Sequence, residues 1–136
     1  MTRCRVCALV VAMLIAACVR KEDPPGVDQP PAENVVASEA RVRELEQQAR
    51  SLAKTDGCDR ADQCGAAPMG AKPCGGPRAY LVYCKATTDE AALMRALDEL
   101  KSAEEAYNRA AGLGSDCSMV MPPEVRLEGR TCTAAP

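Results

Sequence analysis

The chain contains no histidine, tryptophan or phenylalanine, and three tyrosines are its only aromatic residues. Without imidazole there can be no Ser-His-Asp or Cys-His arrangement, no histidine zinc ligand and no proton shuttle near neutral pH. Three tyrosines supply no row of rings on which single-stranded nucleic acid could stack. The net charge of −2 adds no basic footprint for phosphates, so nucleic acid is excluded as a partner. An enzyme would have to work with carboxylates or lysines alone, and no spaced pair of carboxylates stands out from the charges of helix surfaces. We expect no catalytic residues and no cofactor. A long hydrophobic run is also missing: the longest, Val6 to Ala17, has 12 residues, whereas about 20 are needed to cross a bilayer as a helix.

That short run follows Arg3 and Arg5 and ends in Ala16 and Ala17, the order of an export signal with a basic start, an apolar middle and small residues at the cleavage site. Leu14-Ile15-Ala16-Ala17-Cys18 resembles the bacterial lipobox, an aliphatic residue and two small residues closed by cysteine. The resemblance implies cleavage after Ala17, diacylglyceryl transfer to the Cys18 thiol and further acylation of the new amino terminus. Several acyl chains hold a protein on a bilayer where one binds reversibly. The other reading is an ordinary secretory signal that releases a soluble protein. Cys4 and Cys7 leave with the signal. After Cys18 come Pro24, Pro25, Pro30 and Pro31 among charged residues, which predicts an extended tether reaching about 50 Å over residues 19–34. Lipoprotein sorting uses the residue after the lipidated cysteine. Val19 there favours the outer membrane, on its periplasmic or surface face, over the inner membrane.

Cleavage would remove two of the 17 basic residues, leaving 15 against 19 acidic ones and a net charge of −4. Six cysteines follow Cys18: Cys58, Cys64, Cys74, Cys84, Cys117 and Cys132. An even number in a small exported chain predicts three disulfides. No Cys-x-x-Cys pair occurs, which argues against both a structural metal and a redox-active dithiol. Six cysteines allow 15 pairings, and only the three that join Cys117 to Cys132 keep both late cysteines from reaching back across residues 88–111. Two bridges are therefore expected to cross that segment.

Two segments carry helical periodicity. From about residue 34 to residue 55, Val35, Val42 and Ala49 share one heptad position, and Ser38, Leu45 and Leu52 share another. Glu39 with Arg43 and Glu46 with Arg50 are favourable i,i+4 pairs, and Gly57 offers a stop. This narrow seam either lies against the rest of the protein or forms a short self-associating coiled coil; its Ser and Ala favour the former. The second helix has Thr87 and Glu90 as a capping box, then Leu93, Leu97, Leu100, Ala103, Tyr107 and Ala110 on one face, and Gly112 or Gly114 as terminator. Between the helices, Cys74-Gly75-Gly76-Pro77 must turn tightly ahead of a strand in which Tyr80, Val82 and Cys84 face one way and Leu81 and Tyr83 the other. Short strands are expected at residues 117–121, 125–127 and 130–133, with Glu128-Gly129 as a turn.

The expected architecture is a small disulfide-rich α+β domain, with a few short antiparallel strands packed on one amphipathic helix and a separate helix ahead of it. Its divisions are 1–17 signal peptide, 18–34 lipidated cysteine and tether, 35–56 amphipathic helix and 57–136 stapled domain. No cysteine lies between residues 19 and 57, so the stapled part is expected to fold without the first helix.

The segment MGAKPCGGPRAYLVY resembles uncharacterised secreted proteins and lipoproteins of Gram-negative bacteria, in which a Gly-x-Lys-Pro-Cys-Gly-Gly-Pro turn precedes an aromatic strand, an amphipathic helix and a Ser-Asp-Cys like Ser115-Asp116-Cys117. The resemblance covers residues 58–132 and implies no activity. Two functional classes stand open. Gly75 and Gly76 with Lys72, Arg78 and Tyr80 can form a rigid recognition loop on a lipid-anchored envelope module, whose partner would be an envelope protein or the cell wall. The alternative is an envelope hydrolase or protease inhibitor. Against the recognition loop stands the plainer reading that the glycines and proline only shape a turn.

Overall fold

The computed structural model describes residues 32–135. The expected signal peptide, Cys18 and the tether up to residue 31 lie outside them. In chain order the elements are α1 (Ala32–Leu52), β1 (Cys64–Met69), β2 (Ala79–Cys84), α2 (Glu90–Ala110), β3 (Val125–Glu128) and β4 (Thr131–Ala134). The strands form two antiparallel hairpins, β1 with β2 and β3 with β4. This is the expected α+β, disulfide-rich architecture with its separate first helix.

The pleat of the first hairpin explains the layers. Its register pairs Gly65 with Tyr83, Ala67 with Leu81 and Met69 with Ala79 on one face, and Cys64 with Cys84 and Ala66 with Val82 on the other. The first face packs under the helices, in a core with Val42, Leu45, Ala49, Leu93, Leu97 and Leu100. The second face meets the other hairpin around Cys58, Cys64, Cys84 and Cys132, with Val125 and Leu127 alongside. A strand covered on both faces was expected for residues 80–84. Its partner β1 was not, because Gly65 and Pro68 are poor strand formers. Gly65 is the residue the packing requires: a Cβ there would sit 2.9 Å from the Tyr83 ring laid across it. The Tyr83 hydroxyl donates to Glu90 Oε1 at 2.6 Å.

The bridges join Cys58 to Cys84, Cys64 to Cys132 and Cys74 to Cys117. Two of them run from before α2 to after it, as counting suggested. The segment after α1 stitches the hairpins together: Cys84 N donates to Lys54 O at 2.6 Å, and Cys132 N to Thr55 O at 2.9 Å. Gly129, at φ 63°, turns β3 into β4 as expected.

Three local expectations are corrected. The cap of α2 is Asp89, whose side chain accepts from Ala92 N at 3.0 Å. Thr87 lies in the preceding turn and donates instead to Asp56 O at 2.7 Å. Residues 117–121 form no strand, since no neighbouring strand pairs with them. Helix α1 starts at Ala32 and ends at Leu52, so it takes in the last residues assigned to the tether and stops short of Gly57.

Whether the stapled part folds without α1 turns on how α1 packs. The seam of α1 does lie against the domain, but Val42, Leu45 and Ala49 are 9%, 2% and 0% exposed and belong to the same core as Leu93, Leu97 and Leu100. Deleting α1 would open that core to water. Leu45→Ala should cost about 2–4 kcal/mol in denaturant unfolding, within the range for buried leucine truncation. Residues 56–136 expressed alone should show no cooperative transition, and a sharp one would place the α1 seam outside the folding unit.

Candidate functional site

The chain leaving β1 makes an abrupt detour before returning as β2, and side chains from both helices hold it. Gly70, at φ 72°, turns the chain, and a Cβ there would collide with the Glu104 carboxylate. Glu104 accepts from Ala71 N, and Asn108 one turn later donates to Ala71 O at 2.9 Å. One face of α2 thus grips both backbone polar groups of buried Ala71. A four-residue turn then runs from Lys72 to Gly75, closed by Gly75 N donating to Lys72 O at 2.9 Å, with Pro73 in its second position.

Arg78 closes the detour. Its backbone N donates to Met69 O at 3.0 Å, while Nη2 reaches Glu104 Oε1 and Glu46 Oε2, both at 2.8 Å. Glu104 retains 5% side-chain exposure and Glu46 24%, so one guanidinium neutralises carboxylates from both helices. Burial works against ionisation of Glu46, but Arg50 and Arg78 outweigh it and hold its carboxyl below the ordinary value. Arg78 in turn is raised, chiefly by its hydrogen bond to Glu104.

Lys72, only 15% exposed, points the other way and fixes the segment after α2. Its ammonium has three hydrogens and meets three acceptors: Asp116 Oδ1 at 2.9 Å, Ser118 O at 2.7 Å and Ser118 Oγ at 2.9 Å. The bond from Lys72, joined by those that Ser118 donates from its backbone N at 3.1 Å and its Oγ at 2.9 Å, holds the Asp116 carboxyl down at about 2.

Between α1, α2 and this segment lies a groove of about 470 Å³. Val42, Tyr107, Leu113 and Val120 supply apolar wall, and Arg78 and Glu104 also line it. Its charged residues are paired among themselves or with neighbours: Arg43 with Glu39, Arg78 with Glu46 and Glu104, Lys72 with Asp116. The groove therefore presents apolar surface and self-neutralised charge, which suits an uncharged, partly apolar ligand.

Of the residues expected to form a recognition loop, Lys72 and Arg78 line this groove with their charges bound internally. Gly75 and Gly76 sit in the exposed turn, at φ 93° and 78°. Tyr80 is half-buried in β2 opposite Pro68 and is not part of the groove. Glu46, Glu104 and Asn108 were missed. Glu104 left one trace in the sequence, a charge set four residues after Leu100 on the apolar stripe of α2. The sulfurs of Cys58, Cys84 and Cys132 lie within 4.8 Å of one another, but each is already spent in a bridge and offers no thiolate to a metal. Comparison with protein-family models, curated proteins and solved structures finds no match for the chain.

Arg78→Leu should destabilise the protein by about 2–3 kcal/mol in urea titration, because it strips a buried carboxylate of its counter-charge at a partly solvated site. Adding Glu104→Gln should recover part of that loss, since the amide oxygen can still accept from Ala71 N without carrying charge. No recovery would mean that Arg78 acts by packing alone.

The clamp on Asp116 should also respond to pH. With its carboxyl lowered from 3.8 to about 2, its contribution is complete above 3.8 and is lost as pH falls through about 2. Amide exchange in residues 115–119, corrected for intrinsic rates, should accelerate across that window, and Asp116→Asn should abolish the step.

Proposed function

We propose that the protein is a lipid-anchored module of the bacterial cell envelope, held on the outer membrane through Cys18, whose groove binds an uncharged, partly apolar segment of an envelope protein or cell-wall partner. One observation carries the anchor. All six cysteines from Cys58 onward are consumed in three bridges, which leaves Cys18 the remaining thiol downstream of the expected cut. The bridges also suit a compartment that oxidises thiols, which is where the export signal would deliver the chain. Among the described residues no helix is long and apolar enough to cross a membrane. The groove supports a binding role over a catalytic one, because Glu46 and Glu104 are both committed to Arg78 and neither stands ready to move a proton.

Metabolic labelling with a fatty acid tests the anchor. The wild-type chain should take up label and begin at Cys18 after processing, whereas Cys18→Ser should take up none and leave the membrane fraction. Label persisting on Cys18→Ser, or a wild-type amino terminus elsewhere, would refute the assignment.

A further inference from the structure

The three disulfides are not equivalent. Cys58, Cys64, Cys84 and Cys132 are 0%, 6%, 0% and 2% exposed, sealed between the two hairpins. Cys74 and Cys117 are both exposed. The glycines that follow Cys74 keep its surroundings open, since a Cβ built on Gly75 or Gly76 meets no atom within 4 Å. Cys117 is the one non-glycine residue with positive φ among the described residues, at 54°, a conformation that L side chains adopt only when held there. What the bridge holds is a segment without helix or strand, residues 113–124. Apart from the bridge, its side-chain tie to the 70–78 detour is the Lys72 clamp on Asp116 and Ser118.

We propose that the Cys74–Cys117 disulfide is a reducible latch, a site of attack for an envelope dithiol reductant, and that opening it frees residues 113–124 and uncovers the groove while the buried bridges keep the fold. Leu113, Gly114 and Val120 of this segment form part of the groove lining, so its movement changes the site directly. The same segment carries Leu113, Met119 and Met121, at 45%, 85% and 68% exposure, and release would let this apolar stretch reorient. The chemistry is thiol–disulfide exchange. A thiolate of the reductant bonds to Cys74 Sγ, the bond between the two sulfurs breaks, and Cys117 leaves as a thiolate that takes a proton from water. The second reductant thiolate then attacks its own partner sulfur in the mixed disulfide and releases Cys74. Two electrons have passed from the dithiol, now a disulfide, to the latch, now two thiols.

Limited reduction of the oxidised mature chain with dithiothreitol, quenched with iodoacetamide and mapped by peptide mass spectrometry, tests the selectivity. Cys74 and Cys117 should be labelled at least about tenfold faster than the other four, as accessible sulfurs exchange ahead of buried ones. Hydrogen exchange on the half-reduced protein should rise in residues 112–124 and stay unchanged in α1, α2 and the hairpins. The double variant Cys74→Ser, Cys117→Ser should reproduce that exchange pattern without any reductant. Labelling of all six cysteines together would overturn the proposal. So would an unchanged exchange rate in residues 112–124 once the latch is open, since the Lys72 clamp alone would then hold the segment.

Discussion

Two disulfides lying side by side between the hairpins are what the rest of this structure is built around. Cys58–Cys84 and Cys64–Cys132 join residues 26 and 68 positions apart, and in the chain-entropy model such closures contribute about 3.5 and about 4.4 kcal/mol. They matter this much because the apolar material is small: alanines, leucines and one buried tyrosine form most of the main core. The β3–β4 hairpin has four residues per strand and could not stand alone in water. Bolted to Cys64 through Cys132, it covers the outer face of the first hairpin and makes β1 and β2 a buried middle layer.

Charge does for the helix side what sulfur does for the hairpin side. Helices α1 and α2 meet over Val42, Leu45, Leu93, Leu97 and Leu100, and at the edge of that contact Arg78 ties Glu46 of one helix to Glu104 of the other. The same Glu104 fixes Ala71, so helix packing, the detour between β1 and β2, and the groove wall share one carboxylate. The detour in turn carries Lys72 and Cys74, the two residues that hold the segment after α2. A continuous path of contacts therefore runs from the inter-helix core to the exposed loop.

What could be read in the sequence was whatever depends on local pattern. The apolar stripe of α2, the heptad seam of α1, the alternation of residues 80–84, the turn at Gly129 and the even cysteine count all came through, because spacing alone encodes them. The misses arose where a distant partner decides the local outcome. Cys64-Gly65-Ala66-Ala67-Pro68 reads as turn material, yet it is a strand because β2 supplies its hydrogen bonds and Tyr83 needs the space above Gly65. Pro68 is tolerated there because β1 belongs to a two-stranded sheet with an open edge. Residues 117–121 show the converse, strand-like in composition but pinned by a bridge and a lysine with no strand to pair with. The groove was legible only through Lys72 and Arg78, and both proved to be bound inside the protein. Its carboxylates, separated by 58 positions in the chain, carried no motif.

The apolar core is too small to keep this domain folded once its covalent closure is lost. Thermal unfolding followed by far-ultraviolet circular dichroism, on the mature chain with all three bridges intact and on the same chain fully reduced in excess reductant, tests it most directly. The oxidised protein should show a cooperative transition and the reduced one none, having already lost its hairpins at 25 °C while retaining at most residual helix. A fully reduced chain that still unfolds cooperatively within a few degrees of the oxidised one would contradict it.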